Sequence, residues 1–405
     1  MRSYSFFTIV LLCLAILLVD ILAFYWLLSI THPITQPYIK NGIYIAFWIF
    51  TVGLIASILI LKSRLDDIDS RRKQLLVSSL FGLTISSFIP KILFVIVISL
   101  LYFTNYVFSE NISLIIVPVF GLFSGFLPFF VIVYAIFRSL YRFKVHHINI
   151  KIKELPANLA GLRIVQISDL HLGSFNFRYH ILDRAVKLIN QLKPDLIFFT
   201  GDLVNNHAWE LKGWDLVLNK LIAKKGKYSV LGNHDYGDYS EWQSIKAKRS
   251  NHELIKYFYE KIDFKLLVNE SEIVEFDGEK LAIIGVENWG IPPFKQYGDL
   301  NKAIKNVVDL PFKILLSHDP THWSEEVVKD TDIVLTLSGH THGMQAAINI
   351  KSKKWSPIKF KYKHWAGLYK DHDQYLHVNR GLGWLAFPGR VGMRPEISLI
   401  EFGAA

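Results

Sequence analysis

Residues 5–30 read SFFTIVLLCLAILLVDILAFYWLLSI, with one acid, Asp20, and no base. A helix needs about 20 apolar residues to cross a bilayer, and this run exceeds that. Ile43–Leu61, Ile89–Phe108 and Ile112–Phe137 also meet the requirement. These runs exclude a wholly water-soluble fold and predict an all-α region of four transmembrane helices. The first run lacks a small-residue cleavage site and is too long for a signal core, so it reads as an anchor. Leu75–Phe88 is apolar but Ser-rich, and Pro90-Lys91 interrupts the run just beyond it. That pattern reads as an interfacial helix ahead of the third span.

Basic residues orient such spans. Arg2, then Lys62, Arg64, Arg71, Arg72 and Lys73, then Arg138, Arg142 and Lys144 fall on one side, and Lys40 alone on the other. The expected topology is a multi-pass protein of the cell membrane with both ends in the cytoplasm. Asp20 lies deep in the first span, and an acid there either serves a function or faces the bundle and is hydrogen-bonded within it.

The sequence changes texture near residue 145, dividing the 405 residues into a membrane domain, 1–144, and a second domain, 145–405. The only cysteine, Cys13, lies in an apolar run, which rules out an intrachain disulfide and a Cys-based zinc site. The net charge is +10, which suits anionic partners without choosing among phosphates, lipid headgroups and nucleic acid.

In the second domain, short apolar strand-like runs alternate with amphipathic stretches such as 177–192, 241–262 and 320–329, which indicates an α/β fold. Five of the strand-like runs end in residues that can bind a metal. LRIVQISDLH delivers Asp169 and His171, and DLIFFTGDL delivers Asp202. KYSVLGNHD delivers Asn233, His234 and Asp235, FKILLSHDP delivers His318, and IVLTLSGHTH delivers His340 and His342. Ligands of α/β sheets bind beyond the carboxyl ends of strands. Imidazole and carboxylate without thiolate are donors for Zn, Mn, Fe and related ions. Alone, D-x-H or GD is a common turn; five such ends in one chain are not coincidence.

The series D-x-H, G-D, G-N-H-D, H, G-H-x-H resembles the calcineurin-like metallophosphoesterases over roughly residues 145–405. The resemblance implies a four-layer α-β-β-α sandwich, two sheets face to face with helices outside. It also implies two divalent metal ions, of Mn, Fe, Zn or Co type. Asp169, His171, Asp202 and His342 would hold the first, and Asp202 would bridge to a second held by Asn233, His318 and His340. A shared carboxylate offsets the repulsion of two cations about 3.5–4 Å apart, and such a pair lowers the pKa of a bound water toward about 7. His234 would protonate the leaving alkoxide. Several branches of the family place an acid three residues after the GD aspartate to orient that histidine. Asn205 stands there in this chain, with Asp235 as a compensating acid.

Residues 351–370, KSKKWSPIKFKYKHWAGLYK, interleave seven lysines with aromatics. Lys359, Lys361, Lys363 and Trp365 are expected to bind substrate, as are Arg390 and Arg394 of GRVGMRPE. Such a stretch suits anionic headgroups or a groove for nucleic-acid bases, or it is simply a solvated basic face. Membrane attachment favours a lipid or lipid-linked phosphate as substrate partner and disfavours nucleic acid. The expected activity is hydrolysis of a phosphodiester or pyrophosphate bond at the cytoplasmic leaflet. A nuclease or nucleotide phosphodiesterase, and a non-catalytic membrane sensor, are the alternatives.

Overall fold

The computed structural model describes residues 5–64, 68–108, 116–292, 295–350 and 353–404. Arg2, Lys351 and residues 112–115 of the expected fourth span lie outside them. The described residues divide into two compact units, one built on 139–385 and 390–404, the other on 5–138 and 386–389.

The second of these units holds four helices, α1 (Phe6–Ile30), α2 (Pro37–Ser63), α3 (Ser70–Phe108) and α4 (Ile116–Phe137). All four are long and apolar enough to cross a membrane. Phe6, Phe7, Ile49, Phe103, Phe130 and Phe137 are each more than half exposed, as lipid-facing side chains are. Inside, Cys13 and Ile16 meet Leu54 and Ile58, while Ala23 meets Phe94, Ile98 and Val117.

The third helix corrects one expectation. Among the described residues, Leu75–Phe88 is not a separate interfacial helix; α3 takes it in and runs unbroken through Pro90. A proline removes one backbone bond, whereas ending the helix in apolar surroundings would strand several backbone groups at once. Asp20 faces inward. Its carboxylate accepts from Lys91 Nζ at 2.7 Å and from the Thr51 hydroxyl, and the Lys91 ammonium lies 4.7 Å from the centre of the Phe47 ring. Three helices thus share one buried ion pair.

The other unit contains β1 (Lys144–Ile152), β2 (Arg163–Ile167), α5 (Tyr179–Gln191), β3 (Leu196–Phe199), α6 (Asp215–Leu218), β4 (Gly226–Ser229), α7 (Ile245–Lys261), β5 (Lys265–Leu266), β6 (Glu270–Phe276) and β7 (Glu279–Gly285). After these come α8 (Leu300–Ile304), β8 (Lys313–Leu316), α9 (Val328–Asp330), β9 (Leu335–Ser338), β10 (Ile348–Ile350), β11 (Lys353–Trp355), β12 (Gly367–Asp371), β13 (Gln374–Val378) and β14 (Glu396–Ala404).

The strands form two six-stranded sheets, β1-β14-β2-β3-β4-β5 and β12-β13-β9-β8-β7-β6, and β10 pairs with β11 as a separate hairpin. Strand alternation separates the layers. Ile164, Leu196 and Phe198 of one sheet face Leu281, Ile283, Ile314, Leu316, Leu335 and Leu337 of the other, forming the core between sheets. Their neighbours Val165, Ile167, Ile197 and Phe199 face outward onto Ile181, Ala185 and Ile189 of α5 and Ile255 and Tyr259 of α7. On the far side, Ala282, Ile284 and Leu315 are covered by Leu300, Ala303, Trp323 and Val327. This is the α-β-β-α sandwich. Runs apolar at every position, such as Leu196–Phe199, are those buried on both faces.

Candidate metal centre

β2, β3 and β4 run parallel within one sheet, and β7, β8 and β9 within the other. Loops leaving their carboxyl ends are stitched together by backbone bonds. Asp169 N–H donates to Gly201 C=O at 2.9 Å, His171 N–H to Asp202 C=O at 3.1 Å, and Gly339 N–H to His318 C=O at 3.0 Å. The sharp exits require unusual backbone. Asp169, His171, Asp202, His340 and His342 all adopt left-handed conformations, with φ between 45° and 71°. Each costs a non-glycine residue of order 1–3 kcal/mol, and such strain clusters at functional sites. The intervening glycines permit contact: a Cβ on Gly232 would lie 2.2 Å from Asp202 Oδ1, and one on Gly339 would lie 2.3 Å from Asp169 Oδ2.

Two groups of donors result. Asp169, His171 and His342 form one, and Asp202, His318 and His340 the other. In the first, His171 Nε2 and His342 Nε2 are 3.0 Å apart, and His342 Nε2 is 3.2 Å from Asp169 Oδ1. In the second, Asn233 Oδ1 is 2.7 Å from His340 Nδ1 and 3.1 Å from His318 Nε2. One atom joins the groups: Asp202 Oδ2 lies 3.2 Å from His318 Nε2 and 3.6 Å from His171 Nε2.

Neighbouring residues set the donors' orientation. His318 Nδ1 donates to the Thr200 carbonyl at 2.7 Å, which leaves Nε2 as the inward atom. The Asn233 amide N–H donates to Tyr239 Oη at 2.9 Å, which turns the oxygen inward. Tyr362 Oη lies 2.7 Å from His340 Nε2, so Nδ1 is that ring's inward atom. Sequence reading passed over Tyr239 and over the contact of Tyr362, because neither carries a motif of its own.

Electrostatics make the cluster receptive to cations. Burial holds the His171 imidazole neutral, down to about 3, and His340 down to about 4, leaving lone pairs available. Burial, and then the nearby Asp202 carboxylate, push Asp169 upward. His318 moves oppositely: burial opposes its charge, but Asp202 overrides that and raises it to about 10. Nitrogen and oxygen lone pairs converge where ordinary packing would place donors against acceptors. His171 Nδ1 and His342 Nδ1 are buried without a hydrogen-bond partner among the described residues. This donor set fits divalent metal ions.

The remaining sequence candidates divide. His234 is half-buried beside the centre, 5.0 Å from the His171 ring, and its N–H donates to Asp202 Oδ1 at 2.9 Å. Its Nδ1 lies 2.7 Å from the main-chain carbonyl of Asn205. This corrects the expected role of the Asn205 side chain, which instead contacts Ser174. Position 205 orients His234 through a backbone atom that any residue supplies. Asp235 is likewise not a partner for that ring. Its buried carboxylate accepts the N–H groups of Asp202, Leu203, Val204 and Gly232 and binds the two metal-bearing loops together.

Two arginines expected to meet substrate do structural work. Arg390 is fully buried and donates to the carbonyls of Arg380, Gly381 and Gly383. Arg394 donates to the carbonyls of Arg142 and Phe143. Trp365 is also buried, packed with Ala347, Tyr362 and Met393 rather than offered to a ligand. Lys359, Lys361 and Lys363 are exposed.

Comparison with known proteins agrees with this architecture. Residues 162–344 match the calcineurin-like phosphoesterase family, and residues 1–140 match a probable calcineurin-like phosphoesterase transmembrane domain. An uncharacterized metallophosphoesterase, YkuE, of Bacillus subtilis is 31% identical over 62% of this chain and 82% of its own length. A transmembrane protein with metallophosphoesterase domain from Danio rerio is 28% identical over 66% of this chain and 59% of its own. Phosphodiesterase YaeI of Escherichia coli is 26% identical over 60% of this chain and 83% of its own.

Proposed function

This chain belongs to the calcineurin-like metallophosphoesterases, membrane-bound hydrolases of phosphoric esters in this instance, and from that premise we propose that it cleaves a phosphodiester or pyrophosphate bond in a lipid or lipid-linked substrate. The observation that carries the reading is the single oxygen of Asp202 set between two groups of donors. A diester is supported by the name of the Escherichia coli relative, and a lipid by the four membrane-spanning helices. The bias of Lys and Arg toward the same side as the second domain supports catalysis at the cytoplasmic leaflet.

Asp169, His171, Asp202 and His342 would hold one divalent ion, and Asp202, Asn233, His318 and His340 a second. Bound there, such ions activate water and neutralise phosphoryl oxygens. The polypeptide does the rest. Asn233, neutral among the ligands, keeps the loaded site attractive to an anion. As the new P–O bond to water forms and the ester P–O bond breaks, the leaving alcohol takes a proton from His234. The carbonyl of Asn205 holds the His234 ring in place, and Asp235 holds the loop carrying that carbonyl.

The test is hydrolysis of bis-p-nitrophenyl phosphate and p-nitrophenyl phosphate by the full chain in detergent with Mn, with His342→Ala as control. Diester turnover that disappears in the variant is expected. Turnover surviving His342→Ala, or none with any divalent metal by a folded protein, would sink the proposal.

A further inference from the structure

The segment after the GHTH turn forms a surface that the metal centre itself does not require. In the β10–β11 hairpin, Ile348 lies directly opposite Trp355, so the two side chains share a face. They are 56% and 42% exposed, and Phe360, just beyond in a short 3-10 turn, is 80% exposed. The Lys359 ammonium ties these together, lying 5.8 Å from the Trp355 ring centre and 5.3 Å from that of Phe360. Lys361 and Lys363 come next, both exposed, flanking the buried Tyr362. Large apolar side chains rimmed by cations and left to water mark an interaction surface.

The same segment touches the centre. Tyr362, between those lysines, is the residue whose hydroxyl meets His340 Nε2. Thr341 Oγ1, within the GHTH turn, donates to the Trp365 carbonyl at 2.6 Å, and Ser356 Oγ donates to the Gly343 carbonyl at 3.0 Å. The segment that carries the apolar and basic side chains is therefore bonded directly to the turn that carries His340 and His342.

We propose that Ile348, Trp355 and Phe360, with Lys359, Lys361 and Lys363, dock this segment onto an anionic bilayer surface, presenting the metal centre to lipid-borne phosphate. The purpose rests on the reading of a lipid substrate, but docking is tested without turnover, so the two fail separately. Chemistry selects the occupant. Lysines draw the segment to acidic headgroups, and aliphatic and aromatic side chains enter the headgroup–acyl boundary. Nucleic-acid stacking needs open aromatic faces. Here the Lys359 ammonium sits over both exposed rings, and Ile348 has no face to stack.

The full chain, in a Cys13→Ala background, would carry an environment-sensitive fluorophore at Phe360→Cys. It would be placed in nanodiscs of phosphatidylcholine alone or mixed with phosphatidylglycerol. The expected result is a blue shift with a severalfold rise in emission on adding phosphatidylglycerol. High salt, or combined Lys359→Gln, Lys361→Gln and Lys363→Gln, should reverse it. The same probe at Ile245→Cys, a position 89% exposed on α7, should not respond. Emission at 360 that stays water-like in both bilayers overturns the proposal. So does a response to single-stranded RNA in detergent without one to acidic lipid, which would assign the surface to nucleic acid. Equal responses at 360 and 245 also overturn it, since they would report the bilayer without a docking surface.

Discussion

Each unit of this protein buries a polar cluster, and the two clusters balance charge differently. In the helical unit, Asp20 meets Lys91 and Thr51, and the carboxylate's charge is answered by a side chain of the same chain. In the sandwich, Asp169 and Asp202 are buried among imidazoles of two kinds: burial keeps His171 and His340 neutral, whereas Asp202 raises His318. The first cluster is complete and serves to hold helices together. The second sets two carboxylates against the raised imidazole of His318, and the lone pairs of its other ligands converge on common points. An acid buried in apolar surroundings is thus no sign of function by itself; what matters is whether the chain supplies its counter-charge.

The largest effect should come from removing the carboxylate that joins the two donor groups. Asp202→Asn should lower phosphodiester turnover by about 10³-fold or more, since the metals' stabilisation of developing charge is worth several kcal/mol. Metal content by elemental analysis should fall with it. Loss of turnover at unchanged metal content would show that Asp202 does not bridge.

The complete cluster should respond to half-removal and tolerate full removal. Lys91→Met strands the Asp20 carboxylate and should destabilise the helical unit by about 3–5 kcal/mol, whereas Asp20→Leu with Lys91→Met should be near neutral. Thermal unfolding in detergent checks both. A double variant as unstable as the single one would mean the pair does more than close its own charge.

Next in size is proton donation. His234→Ala should reduce turnover of poor leaving groups by about 10²-fold while leaving metal content intact. Asn205→Ala should cost far less, because the atom that orients His234 belongs to the backbone. Equal losses in the two variants would return the orienting role to the Asn205 side chain.

A third buried cluster gives the smallest effect at neutral pH. Glu396 pairs with Arg380 and lies beside His377 and His146. Burial, outweighing the pull of Glu396, lowers His146 and His377 to about 4. The unfolded chain then binds more protons than the folded one below about pH 6.5. The stability these histidines contribute is complete above that pH and falls as pH drops toward about 4. Glu396, lowered to about 2 against the cost of burial by Arg380 and then His377, extends the loss through lower pH. Urea unfolding from pH 7 to pH 4 measures this. Replacing both histidines with glutamine should flatten the upper part of the profile.

Much of the architecture was legible because its signals are local. Four apolar runs announce four helices, and an apolar strand ending in Asp, Asn or His announces a place that can carry a ligand. Other features depend on distant neighbours. Pro90 read as a break but lies in continuous helix, because lipid penalises an open backbone more than a single lost bond. Asn205 read as a side-chain partner but acts through its carbonyl, which no residue type betrays. Arg390 read as a phosphate ligand, yet it fills the interior against three carbonyls.

By itself, then, the sequence determined the membrane region, the alternation of the sandwich and the residue types offered at five strand ends, since each arises from patterns a few residues long. Only the tertiary structure decided which atoms of those residues converge. It turned Asp169, His171, Asp202, His340 and His342 into left-handed backbone, brought Tyr362 to His340 and paired Asp20 with Lys91 across 71 positions. Those arrangements cost strain or desolvation that no local pattern rewards, and only the packing of distant segments holds them.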